Sequence, residues 1–208
     1  ATVSTTGNKS IKYYYTATTG DDFISDDTAS AMVNVSDTVM ARDNGVLPLN
    51  ITAGVLTSGG QRFTVFNQDS ITGAQAYVKS SFAGDKFKFV LYALNGNTVG
   101  AKLNESGDVT LQSQTDTGWK KMRFNCLSVL SPGDYMLAVE LTSTVFSSGI
   151  GANQIDAETN STFGTTGAGW FTTTLSGNPF NYGLRLEFGS YDFPTFAVLD
   201  PACISGDT

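Results

Sequence analysis

Hydrophobic and polar residues alternate through the middle of the chain, between residues 84 and 141. There the segment DKFKFVLY places Phe87, Phe89 and Leu91 on one side and its lysines on the other. This period of two is typical of a strand that buries one face. An Asn-Gly pair follows and predicts a tight turn, because both residues tolerate a positive φ.

The same alternation returns in GWKKMRF, in YMLAVEL and, near the end of the chain, in YGLRLEF. No stretch has the period of a helix, so the sequence predicts an all-β protein, an antiparallel β-sandwich of the jelly-roll type. Residues 146–151 are expected to form a glycine-rich bend, and residues 154–163 a long loop. The predicted core residues are Phe87, Phe89, Leu91, Phe124, Leu137, Val139, Leu184 and Leu186.

The 208 residues suffice for one such sandwich with extensions. We expect an N-terminal extension with the first strands at 1–36, the jelly-roll sandwich at 37–189, and a linker or tail toward a further domain at 190–208. The chain begins at Ala1 rather than at a methionine, which suggests processing or excision from a longer protein.

Composition narrows the possible chemistry. Nineteen acidic and twelve basic residues give a net charge of −7, which argues against a nucleic-acid partner. No apolar run is long enough to insert in a membrane. The absence of histidine excludes Ser-His-Asp and Cys-His catalysis. The two cysteines leave open a disulfide between Cys126 and Cys203, or a small buried apolar role for Cys126, which we favour.

Several segments carry a family resemblance. Together they resemble a jelly-roll module of very large secreted and cell-surface proteins of the Bacteroidota. These segments are TGWKKMRF, LSPGDYMLAVEL, DTVMARDNG, GGQRFTVFNQDSITGAQAYV and NYGLRLEFG. The resemblance covers roughly residues 37–189 and consists of turns and core strands. It implies an adhesive or carbohydrate-associated module, and it brings no catalytic motif.

Exposed aromatic rings beside amides are the natural contacts for a sugar, because rings stack on its apolar faces and polar groups bind its hydroxyls. Four residues are candidates for such a site, although both tryptophans could instead pack at the rim of the sandwich. They are Trp170, Tyr182, Asn181 and Trp119.

A loop near the N-terminus is rich in aspartate and could hold Ca²⁺, which prefers several oxygen ligands. Its candidate ligands are Asp21, Asp22, Asp26 and Asp27, and the alternative is a solvated acidic turn. Three Asp-Ser/Thr-aliphatic triplets resemble the O-glycosylation pattern of the Bacteroidota. They make candidate glycosylation sites of Thr28, Thr38 and Ser70.

These observations favour a non-catalytic module of a secreted or surface-anchored bacterial protein, acting in adhesion or as a structural or filament building block. Its expected partners are surface polysaccharide or neighbouring modules of a longer chain. One alternative is a carbohydrate-binding module of a polysaccharide-degrading enzyme, and another is a phage or virus fibre domain. An enzyme would have to use carboxylates such as Glu140 and Glu187, for which outward positions on a sheet are the simpler explanation.

Overall fold

A computed structural model describes residues 7–14, 28–35, 39–52, 56–143 and 146–189. The chain divides into two compact units, 1–38 and 39–208. In the first unit, β1 (Gly7–Tyr14) and β2 (Thr28–Val35) form an antiparallel pair. The predicted aspartate ligands and Thr38 lie outside the described residues.

The second unit is built from fourteen described strands. They are β3 (Val39–Ala41), β4 (Leu49–Thr52), β5 (Ser58–Val65), β6 (Asp69–Ser80), β7 (Lys86–Asn95), β8 (Thr98–Glu105), β9 (Val109–Thr110), β10 (Gly118–Leu130), β11 (Gly133–Leu141), β12 (Gly149–Asn153), β13 (Thr162–Thr165), β14 (Trp170–Thr172), β15 (Asn181–Tyr182) and β16 (Leu184–Phe188).

These strands form two seven-stranded antiparallel sheets. The first sheet has the order β15-β12-β6-β16-β3, with β10 paired to β6 and β4 paired to β12. The second sheet has the order β14-β13-β5-β11-β7-β8, with β9 paired to β7. β5, β6 and β7 lie in alternating sheets, as do β10 and β11, while β7 and β8 form a hairpin within the second sheet. The prediction of an all-β antiparallel sandwich is therefore confirmed.

The main core lies between the two sheets and follows the predicted alternation. The second sheet contributes Phe87, Phe89 and Leu137, while the first sheet contributes Leu184 and Leu186. All eight predicted core residues are buried, at 4% exposure or less. The alternation assigned these faces correctly because a strand places every second side chain on the same side.

Two strands contradict the sequence prediction. Residues 149–153 form β12 rather than a glycine-rich bend, and the predicted long loop ends in β13. The glycines of β12 serve close packing instead of bending. A Cβ at Gly149 would lie 1.9 Å from Asn50 Oδ1, and one at Gly151 would lie 2.8 Å from the Tyr77 ring. Only glycine admits such neighbours within a strand.

The favoured interpretation of Cys126 is wrong. This residue is disulfide-bonded and half-buried, so it is not a small buried apolar side chain. It lies where the pairing of β10 with β6 shifts register, between Arg123 and Ser128. Such an irregularity re-aims side chains away from the regular alternation. The other cysteine of the chain, Cys203, lies outside the described residues.

Candidate functional site

The outer face of the second sheet carries a small apolar cluster of its own. Met136 and Ala138 of β11 point away from the main core and pack with Phe163 of β13, and all three are fully buried. Gly60 of β5 makes room for them, because a Cβ there would lie 2.8 Å from Met136 Sδ. The outer face of this sheet therefore contains an apolar cluster, whereas the solvent-facing side of an antiparallel sheet is usually polar.

Two aromatic rings pack over this cluster. Tyr92 of β7 and Trp170 of β14 have ring centroids 5.6 Å apart and meet edge to face at 64°. Both residues are half-buried, so neither is fully enclosed by the protein. The glycine before the tryptophan, Gly169, has φ = 144°, a conformation that favours glycine and brings the chain into β14. The rings thus stand at an angle on the surface of the sheet.

A chain of charged groups borders the rings. The Tyr92 hydroxyl donates a hydrogen bond to Glu140 Oε1. Lys88 Nζ lies 2.5 Å from Glu105 Oε2 and 3.9 Å from Glu140 Oε2, while Lys102 Nζ lies 3.0 Å from Glu105 Oε2. Residues of three neighbouring strands, β11, β7 and β8, therefore form one connected network. We call Tyr92, Trp170, Lys88, Glu105 and Glu140 the Tyr92–Trp170 face.

These contacts shift three pKa values in directions that follow from their causes. The hydrogen bond to Glu105 raises the pKa of Lys88. Hydrogen bonds from Lys88 and then Lys102 lower the pKa of Glu105. Burial, followed by the hydrogen bond to Glu140, raises the pKa of Tyr92. At neutral pH, Lys88 and Glu105 are therefore charged and the Tyr92 phenol is neutral.

Arg62 closes one side of the cluster. Its guanidinium carbon lies 5.9 Å from the centroid of the Phe163 ring, and its Nη2 donates to Gly96 O at 2.5 Å and to Asn97 Oδ1 at 2.7 Å. Its Nε is buried without a hydrogen-bond partner. The arginine thereby ties the turn between β7 and β8 to the apolar cluster.

Trp119, another predicted ligand contact, lies on the other sheet. The guanidinium carbon of Arg185 lies 3.9 Å from the centroid of its ring, and the Tyr77 ring meets it edge to face at 5.4 Å. Arg185 is held in turn by Asp43, at 3.0 Å and 2.7 Å. A protein cation thus occupies part of the ring surface that a ligand would need.

Tyr182 and Asn181 lie inside the protein. Tyr182 is 4% exposed and belongs to the main core, where burial raises its pKa. Asn181 is fully buried, accepts a hydrogen bond from Gln61 Nε2 at 3.3 Å and donates one to Ile155 O at 3.4 Å. The structure does not bring these side chains to the surface with Trp170.

The residues that do accompany Trp170 were missed, although the sequence held a signal for them. Tyr92 shares the parity of Lys88 in β7, and Glu140 shares the parity of Met136 and Ala138 in β11. Both were therefore assigned to the outer face by the alternation itself. Their position beside Trp170 depends on strand pairing over long distances in the sequence.

The structure locates some of the predicted glycosylation and carboxylate residues. Thr28 lies in β2, and Ser70 is half-buried in β6 with its backbone in the ladder. Among the described residues, no three acidic, cysteine or histidine side chains cluster in a way that could hold a metal ion. Glu140 lies on the outer face of the second sheet, and Glu187 lies in the first sheet on the side of β16 opposite Leu184 and Leu186, so the two carboxylates do not face each other across a cleft. The described ranges contain no helix of the length and apolarity needed to cross a membrane.

Solved structures with a similar fold include the clostridial cysteine protease Cwp84 after propeptide cleavage. It has a TM-score of 0.60 and 8% identity, over 81% of this chain and 45% of its own. A crystal structure of the cysteine protease and lectin-like domains of Cwp84, a surface layer associated protein of Clostridium difficile, has a TM-score of 0.52 and 10% identity, over 64% and 32%.

The present chain spans less than half the length of both structures, and at these identities the similarity shows the fold alone. No protein-family model matches the sequence, and no curated protein matches it significantly.

Proposed function

We propose that this chain is a non-catalytic β-sandwich module of a secreted or surface-anchored bacterial protein, which acts by binding in adhesion or in a larger assembly. The Tyr92–Trp170 face carries this proposal. It combines two half-buried aromatic residues with hydrogen-bonding groups on one face of a sheet, which is the composition of a recognition surface.

Binding is favoured over glycoside hydrolysis by the state of one carboxylate on this face, Glu105. A glycosidase needs a carboxylic acid whose pKa is raised so that it can protonate the leaving group. Lys88 and Lys102 lower the pKa of Glu105, so this carboxyl is ionised at neutral pH and cannot act as that acid. Glu140 accepts a hydrogen bond from the Tyr92 hydroxyl, which holds its carboxylate in position to accept a hydrogen bond from a ligand.

An extracellular location is supported by the disulfide at Cys126, because disulfides persist in oxidising compartments and are rare in the cytosol of mesophiles. The similarity in fold to a surface layer associated protein agrees with this location. The resemblance to surface modules of the Bacteroidota agrees with it as well.

A carbohydrate-binding module is the second candidate. The aromatic rings of the Tyr92–Trp170 face favour it, as does the similarity to a structure that contains a lectin-like domain. As part of a polysaccharide-degrading enzyme, such a module would hold the enzyme on its substrate.

The proposal is tested by locating the protein in cells of its source. We expect proteinase added to intact cells to remove it, and we expect Cys126 to resist alkylation until a reductant is added. The purified chain should release no reducing sugar from polysaccharides. A cytosolic protein with a free Cys126 thiol, or turnover of any polysaccharide, would contradict the proposal.

A further inference from the structure

We infer that the Tyr92–Trp170 face binds a neutral carbohydrate chain. This inference specifies the ligand class of the proposed binding module and rests on that proposed function. It concerns a site on the outer surface of the second sheet, formed by residues from β7, β8, β11 and β14.

The rings provide the apolar part of the site. Tyr92 and Trp170 stand at 64° to each other over the buried cluster of Met136, Ala138 and Phe163, which fixes their orientation from below. Both residues are half-buried, so each keeps some contact with solvent. A rigid pair of tilted rings can contact the C–H face of a sugar ring at little cost in conformational entropy.

The carboxylates provide the polar part. Glu140 Oε1 accepts the hydrogen bond from Tyr92, but Glu140 Oε2 lies 3.9 Å from Lys88 Nζ, beyond hydrogen-bond distance. That oxygen can accept a hydrogen bond from a ligand hydroxyl, while the ammonium groups of Lys88 and Lys102 can donate to one. The network therefore offers both kinds of partner that a sugar hydroxyl needs.

The charges select a neutral ligand. Glu105 and Glu140 balance Lys88 and Lys102, and the chain as a whole carries a net charge of −7. A polyanionic chain would be repelled by the protein and would compete with Glu105 for both lysines. A neutral polyhydroxylated chain can bind without breaking these ion pairs, so it is the class that the site fits.

The test uses the two tryptophans of the chain, which lie on opposite sheets. Trp119→Phe leaves Trp170 as the sole indole and serves as the matched control. Its emission is followed during titration with cellohexaose, xylohexaose, mannohexaose and the anionic hexagalacturonate, and calorimetry on the wild type gives the affinities. At least one neutral hexasaccharide is expected to shift the emission saturably, and hexagalacturonate is expected to leave it unchanged.

Trp170→Ala should weaken that binding roughly tenfold. Glu140→Gln keeps the shape and an acceptor oxygen but removes the charge, so it should weaken binding several-fold while Trp119→Phe has no effect. Unfolding midpoints establish that each variant is folded. Glycan binding that survives both Trp170→Ala and Glu140→Gln would overturn the site but leave the proposed function standing. Binding of hexagalacturonate alone, or of none of the four probes, would overturn the inference, while the surface location is decided by its own test.

Discussion

The carboxylate of Asp85 is expected to be one of the most sensitive polar groups in the protein. It is 7% exposed and lies just before β7 in the second sheet. Its Oδ2 accepts hydrogen bonds from Ser147 N at 2.8 Å, Ser148 N at 2.7 Å and Ser148 Oγ at 2.6 Å. Since Ser148 precedes β12 of the first sheet, this one oxygen joins the start of a strand in each sheet.

The expected cost of Asp85→Ala follows from these contacts. A hydrogen bond to a charged group contributes about 1.5–3 kcal/mol, and a buried donor left without a partner costs a similar amount. Three such bonds on one oxygen are not additive, because the donors can partly reorganise. We therefore expect the free energy of unfolding to fall by roughly 3–5 kcal/mol. Asp85→Asn keeps an acceptor oxygen without the charge and should cost roughly 1–2 kcal/mol.

Urea unfolding followed by tryptophan fluorescence measures these changes, provided that the m-value is unchanged. Asp134→Ala is the matched control, since half-buried Asp134 accepts a single hydrogen bond, from Thr64 Oγ1 at 2.6 Å. Its loss should be about 1 kcal/mol. Two results would refute the conclusion that the Asp85 carboxylate stabilises the protein by joining the two sheets. In one, Asp85→Ala is no more destabilising than Asp134→Ala; in the other, Asp85→Asn is as destabilising as Asp85→Ala.

Three further results are expected. Phe89→Ala should destabilise the protein by about 3–5 kcal/mol, because the ring is fully buried, and an unchanged urea midpoint would refute its place in the core. Burial raises the pKa of Tyr92 and Tyr182 in the folded protein above the unfolded value of about 10. The free energy that the neutral phenols contribute to folding is therefore fully present below that pH and is lost as the pH rises beyond it. Urea midpoints should therefore fall between pH 9 and 11, and a flat profile would contradict this. Peptide mapping without reductant should find Cys126 linked to Cys203, the chain's other cysteine, whereas a free thiol at Cys126 would contradict the disulfide.

Local sequence determined the strands that alternate. A side chain's parity within a strand is fixed by the backbone alone, so Phe89, Val139 and Leu186 could be assigned to the core without knowledge of their neighbours. The same alternation placed Tyr92 and Glu140 on the sides of their strands that face away from the core. The fold class follows directly from such segments and from the turns between them.

Glycine-rich strands were beyond this reasoning. Gly149 and Gly151 carry no side chain whose alternation could be observed, and their role becomes visible only where Asn50 and Tyr77 pack against them. Asn181 follows a turn and was predicted as a ligand contact, but the first sheet and Gln61 enclose it. Tyr182 shares the parity of Leu184 and Leu186, so the alternation itself indicated the buried position that the structure shows. Whether a segment lies inside or at an edge depends on which other strands cover it.

The candidate site shows the division most clearly. The sequence predicted Trp170 as a ligand contact and held the outward parity of Tyr92 and Glu140, yet nothing local joined them. The strand order β14-β13-β5-β11-β7 brings these three residues onto one surface. Gly60 leaves the space that the Met136 side chain occupies beneath them. Alternation states which residues share a face of one strand, whereas only the order and register of strands in the sheet decide which faces meet.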